Sequence, residues 1–174
     1  MDNPKARILN TAFLLFHQQG YNSTGINQII QDAKVAKASF YQHFKSKDDL
    51  CIAFLTARHD FWFSELRNYT QNAVSPKEFM ATTFDFIVYM NEMEDFRGCS
   101  FLNILSELSK DQGAILAVIQ SHKEDLREFF KNRLGVELLA THMYLLFESA
   151  LIESQLFRSN ELVQKSKEIA NHII

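Results

Sequence analysis

Along most of this chain, apolar side chains recur every three or four positions, a spacing that gathers them on one face of a helix. Ile8, Leu9, Ala12, Phe13 and Phe16 form such a stripe, opening just after Pro4 and stopping at Gly20. Proline suits the first helical turn and glycine the position just past the last, so the pattern predicts a helix between them. Ile26, Ile29, Ile30 and Ala33 predict a second from about Gly25 to Ala33, with Thr24 as its cap. Only Lys34 and Val35 separate it from a third, about Ala36 to Phe44. Two short helices joined so tightly make a helix-turn-helix.

The pattern continues to the end of the chain. Ser46 caps a fourth helix that carries Asp48 and Asp49 in its first turn and runs towards Asn72. Ser75-Pro76-Lys77-Glu78 combines a cap, an N1 proline and a reciprocal glutamate, and opens a helix to about Glu92. Further segments are expected at Ser100 to Ser109, Asp111 to Leu134, Val136 to Phe157 and Glu161 to Ile174. The chain therefore reads as all-α, with about nine helices. Five glycines and two prolines in 174 residues are too few for a many-turned β protein.

Composition narrows the class. No apolar run is longer than a few residues, Ile115 to Ile119 being typical, so no membrane span is expected. Met1-Asp2-Asn3-Pro4 lacks the pattern of a secretory signal. Cys51 and Cys99 are too few for a disulfide framework. A reducing, cytoplasmic setting fits. The net charge of −3 conceals an asymmetry: residues 1–50 hold six Lys/Arg against four Asp/Glu, and the rest hold twelve against seventeen. Only the first part suits a polyanion.

The segment KVAKASFYQHFKSK, residues 34–47, carries four lysines, a histidine and three aromatic rings without one acid. Phe40 and Phe44 share one helix face and Lys37, Tyr41 and Lys45 another, so one side can be core and the other a contact surface. In a helix-turn-helix the second helix enters the DNA major groove. The exposed face would offer Lys37, Ser39, Tyr41, Gln42 and His43, with Gln42 able to pair bidentately with adenine. Lys47, at the start of the fourth helix, would meet a phosphate. No competing chemistry emerges from the six histidines: there is no H-E-x-x-H, no E-x-x-H pair, no glycine-rich phosphate loop and no G-x-S-x-G. Neither catalysis, nor a metal, nor a cofactor is expected.

Residues 8–50, ILNTAFLLFHQQGYNSTGINQIIQDAKVAKASFYQHFKSKDDL, resemble the DNA-binding domain of the TetR family of bacterial one-component transcriptional regulators. The resemblance implies a DNA-binding domain over residues 1–46 and a helical effector-binding and dimerisation domain over 47–174. It further implies that Thr24 and Asn27 touch the DNA backbone, that Lys37, Ala38, Ser39, Tyr41, Gln42 and His43 read or clamp the groove, and that Lys47 holds a phosphate. Lys34 stands where the family usually has glycine, and Ala36 where a capping serine or threonine is usual. These departures leave open a helical ligand-binding or interaction protein whose helix-turn-helix no longer reads DNA specifically.

The resemblance also implies a homodimer through residues 136–174, a palindromic operator and a small effector, with repression as the expected outcome. Phe61, Phe84, Ile87, Met90, Leu102, Met143 and Phe147 are the expected apolar lining of an effector cavity, with Tyr89, Asn103 and His142 as polar anchors. Sixteen phenylalanines favour a hydrophobic or aromatic ligand. Some members of the family sense electrophiles or oxidants through a cysteine; Cys99, between Arg97-Gly98 and the expected helix at Ser100, is the position where that would occur here.

Overall fold

The computed structural model describes residues 3–173. Among these the regular structure is wholly α-helical: α1 (Pro4–Gln19), α2 (Ile26–Asp32), α3 (Lys37–His43), α4 (Lys47–Thr70), α5 (Pro76–Met93), α6 (Ser100–Leu105), α7 (Gly113–Leu134), α8 (Glu137–Phe157) and α9 (Glu161–His172). The expected end of the last helix at Ile174 lies outside the described residues. Several starts follow the sequence signals atom by atom. Asn3 accepts the Lys5 N–H at 3.0 Å ahead of Pro4. Ser46 accepts from the Asp49 N–H while the Asp49 carboxylate takes the Lys45 N–H, a reciprocal capping box. Ser75 and Glu78 do the same for α5, Glu78 taking the Val74 N–H.

Three expectations are corrected. Gly25, not Thr24, caps α2, because the Thr24 hydroxyl turns back to donate to the Gly20 carbonyl at 2.7 Å. α6 ends at Leu105, four residues early, as the chain tightens into three-residue turns from Glu107 to Ile104 and from Leu108 to Leu105. Asp111 does not open α7. Its carboxylate accepts the Ser109 hydroxyl, which holds that carboxyl below the usual range, and α7 begins at Gly113.

The chain forms two compact units. The first comprises the described residues up to Asp60 together with Ser100–Gln120; the second comprises Phe61–Cys99 and the residues from Ser121 onward. α4 and α7 each contribute to both. The first unit buries Ile8, Ala12 and Phe16 of α1, Ile29 of α2, Phe40 of α3, Leu50, Phe54 and Leu55 of α4, and Phe101, Ile104, Ile115 and Ile119 from the later stretch. In the second unit α9 packs on α5 and α8. Its core is an aromatic cluster: Trp62 meets Phe63, Phe86 and Phe147 edge to face, and Phe130 meets Phe147 in the same way.

Candidate nucleic-acid interface

The turn between α2 and α3 closes without glycine. Lys34 takes the left-handed conformation, φ 52°, its N–H donates to Gln31 O at 3.1 Å, and the Val35 N–H reaches back to Ile30 O at 3.2 Å. That pair of bonds is the Schellman ending usually built on glycine, here carried by a lysine at the cost of an unfavourable φ. α3 then starts from Ala36, whose methyl side chain supplies no cap. What anchors α3 is burial: Phe40 is fully buried and Phe44 nearly so, with ring centroids 6.2 Å apart.

The opposite face of α3 is free of the core. Lys37, Ala38, Tyr41 and Gln42 are exposed, with Ser39 and His43 half-buried beside them; Asn27 is exposed near the start of α2, and Lys34 and Lys45 are exposed at either end of α3. Tyr41 leans edge-on against Phe40, ring centroids 5.3 Å apart, yet remains 44% exposed. A short helix thus presents amide, phenol, imidazole and ammonium groups with no acid between Ala33 and Lys47. Two residues expected on this surface turn inward instead. Thr24 is fully buried, donating to Gly20 O and accepting from the Gln19 amide at 3.2 Å. The Lys47 ammonium donates to the carbonyls of Tyr21 and Thr24 at 3.1 and 3.2 Å and lies 4.1 Å from the centre of the Tyr21 ring. Two of its three N–H donors are thus engaged at the corner between α1 and α2.

That corner is held from further along the chain as well. The Glu107 carboxylate accepts the backbone N–H groups of Tyr21 and Asn22 at 3.2 and 2.6 Å, and the Asn22 side-chain amide donates to Glu107 O at 2.8 Å. Gln112 donates to the Tyr21 hydroxyl at 3.0 Å and to the Asp48 carboxylate at 3.1 Å, while Tyr21 itself donates to Asp48. Burial, reinforced by the bond to Asp48, holds the Tyr21 phenol well above its ordinary range. Burial likewise pushes the neighbouring Cys51 thiol up to about 12, with the Asp48 charge adding to the effect. Nothing local in the sequence marks Glu107 or Gln112; their role depends on a return of the chain some 85 residues later.

Residues 8–54 match the family model described as bacterial regulatory proteins, tetR family. Its N-terminal segment is thus that of a TetR-type helix-turn-helix. A TetR-family regulator from Streptomyces coelicolor superposes with a TM-score of 0.87 at 23% identity, over 98% of this chain and 87% of that one. A TetR-family protein from Streptomyces avermitilis superposes at 0.80 with 27% identity, over 98% and 99%. The Bacillus subtilis regulator YuxN, of helix-turn-helix type, is 35% identical over 77 residues, 44% of this chain and 26% of its own. The chain spans between 26% and 56% of the length of the first four curated relatives, all of them helix-turn-helix regulators by description.

The residues expected to line an effector cavity, all within 47–174, are divided between the two units. Phe84, Ile87, Met90, Met143 and Phe147 are buried together in the core of the second unit. Tyr89 is half-buried on Tyr69 and donates to Glu65 at 3.1 Å, and Phe61 is 39% exposed. Leu102 and Asn103 belong to the first unit. His142 is not brought to the aromatic cluster: it points outward, beside Leu145, Leu146, Ile169 and Ile173, around an apolar depression of about 370 Å³. Cys99 is half-exposed, and the cation at its sulfur is Lys123, 3.6 Å away. The Lys123 ammonium also bonds both oxygens of Glu148 at 2.7 Å. Burial draws that ammonium down, and Cys99 and Glu148 together hold it above its ordinary value. Among the described residues no group of three or more His, Cys, Asp or Glu side chains is placed to hold a metal. No helix there is long and apolar enough to cross a membrane.

Proposed function

We propose that the protein is a cytoplasmic transcriptional regulator that binds a palindromic DNA operator as a homodimer and is released by a small hydrophobic or aromatic effector. The observation that carries this reading is the α3 face: Lys37, Tyr41 and Gln42 exposed on one side, Phe40 buried on the other, and no acid between. Gln42 would read a base edge, Tyr41 and Ser39 would orient the helix on the sugar-phosphate backbone, and Asn27, Lys34 and Lys37 would supply flanking contacts. A single reader helix with so few cations binds a half-site weakly, and two on one duplex multiply that binding.

The homodimer is supported by an apolar stripe left uncovered on α8 and α9. Leu138, Leu145 and Ile152 recur at seven residues and Leu156 follows at four; Leu162, Ile169 and Ile173 repeat the seven-and-four spacing. These side chains are 39–67% exposed, and such spacing forms a seam between helices. Pairing α8 and α9 with their copies would make a four-helix bundle. An effector would act by favouring a conformer whose two reader helices no longer match successive major grooves, about 34–36 Å apart. It would enter the second unit by loosening the Phe84–Phe147 cluster, and Trp62, the only tryptophan, packs on Phe147 and so reports that event by fluorescence.

The test is selection of random duplexes on the purified protein at physiological salt, with Tyr41→Ala as control. Recovery of a palindrome that the control does not enrich is expected. Absence of enrichment would leave a helical ligand-binding or interaction protein whose helix-turn-helix is no longer a specific reader.

A further inference from the structure

The corner from Gly20 to Gly25 determines how α2, and the α3 tied to it by the Schellman turn, leaves α1. Backbone groups in such a corner need partners when water is excluded. Here the N–H groups of Tyr21 and Asn22 both go to the Glu107 carboxylate. The fit is close: Gly20 has φ +90°, and a Cβ on it would stand 2.5 Å from Glu107 Oε1. The Asn22 side chain returns a bond to the Glu107 carbonyl, and Gln112 ties the same corner to the first turn of α4 through Tyr21 and Asp48. The acid bonds N–H groups at the base of the reading head, from a turn that lies outside the DNA-binding segment of the sequence.

We infer that Glu107 is a positioning residue for DNA reading: from the turn after α6 it holds the α1–α2 corner in the form that presents α3. The inference rests on the proposed DNA-binding function and deepens it, since none of the contacts expected of residues 1–46 includes this turn. Charge alone makes the opposite prediction. Removing an acid near a polyanion site should tighten binding to any DNA. Removing a positioning acid should weaken binding to the operator and leave non-specific binding unchanged or slightly tighter.

The experiment compares the full-length protein with Glu107→Gln and Asn22→Ala on the selected operator and on a scrambled duplex, across a salt series. The amide keeps the shape of Glu107 but offers one accepting oxygen where two N–H groups need one each. The expected result for Glu107→Gln is operator binding roughly tenfold weaker, with the salt slope unchanged because no phosphate contact is lost. Asn22→Ala, which changes no charge, should show a smaller loss of the same sign. Operator binding equal to or tighter than wild type in Glu107→Gln would overturn the inference while leaving the regulator reading intact. A wild-type protein with no sequence preference would overturn both. Should Glu107→Gln not give a native circular dichroism spectrum, Asn22→Ala decides: selective loss on the operator supports the inference, and unchanged operator binding overturns it.

Discussion

Replacing Lys34 by glycine should move two measurements in opposite directions. The residue sits at φ 52°, a region that costs a residue with a Cβ roughly 1–2 kcal/mol. Glycine removes that cost but adds about 0.5–1 kcal/mol of chain entropy to the unfolded state. The two bonds that close the turn, Lys34 N–H to Gln31 O and Val35 N–H to Ile30 O, use backbone only and survive the change. The net expectation is a gain of about 0.5–1 kcal/mol, seen as a higher urea midpoint with an unchanged slope. On DNA the variant loses an exposed ammonium beside the reader. Binding should weaken, and the slope of log affinity against log salt should fall by about one per protomer. Lys34→Asn separates the two effects, because asparagine tolerates the left-handed region yet carries no charge. It should bind DNA as the glycine variant does while gaining less stability. A glycine variant no more stable than wild type would refute the strain argument, and an unchanged salt slope would remove Lys34 from the interface.

Gln42→Ala should relax preference at one operator position by about 1–3 kcal/mol, whereas Lys37→Ala should weaken all sequences alike; parallel losses on random DNA would remove Gln42 as a reader. Leu145→Glu with Ile152→Glu should give a folded monomer by light scattering, since both side chains lie outside the core, at 58% and 49% exposure; an unchanged mass would move the interface elsewhere. Phe147→Ala, in the middle of the second core, should cost about 3–5 kcal/mol in chemical denaturation, and a loss under 1 kcal/mol would contradict the packing described. Cys51, fully buried with its thiol pushed up to about 12, should resist iodoacetamide at neutral pH while Cys99 is labelled. The unfolded thiol ionises near 9 and the folded one near 12, so the folded state holds the extra proton between them and this group's contribution to stability should fall as pH rises through that window. Labelling of Cys51 at the rate of Cys99 would contradict its burial.

The helices were legible because they depend on short-range patterns. Pro4, Ser46 and Ser75–Glu78 are local signals, and each cap formed as its residues imply. The two faces of α3 were legible for the same reason: Phe40 and Phe44 against Lys37 and Tyr41 is a four-residue relation. What the sequence did not show came from distant returns of the chain. Thr24 and Lys47 looked available because their partners, the carbonyls of the α1–α2 corner, come into reach only when that corner folds. Glu107 and Gln112 carried no motif, and α6 ended early beside a turn whose groups serve that corner. His142 and Met143 are neighbours in sequence but 100° apart around a helix, so one lies outside while the other is core.

The unit that carries α3 is written in two separated stretches, with 39 residues of the other unit interposed. Recombination at a single breakpoint near residue 46 or 60 would therefore transfer α1, α2 and α3 without Phe101, Ile104, Ile115 and Ile119, and without the acid that holds their corner. A chimera meant to transplant this unit onto another chain needs both stretches exchanged as a matched pair. On the proposed DNA-binding reading, substitutions in residues 100–120 bear on sequence preference as well as those on α3.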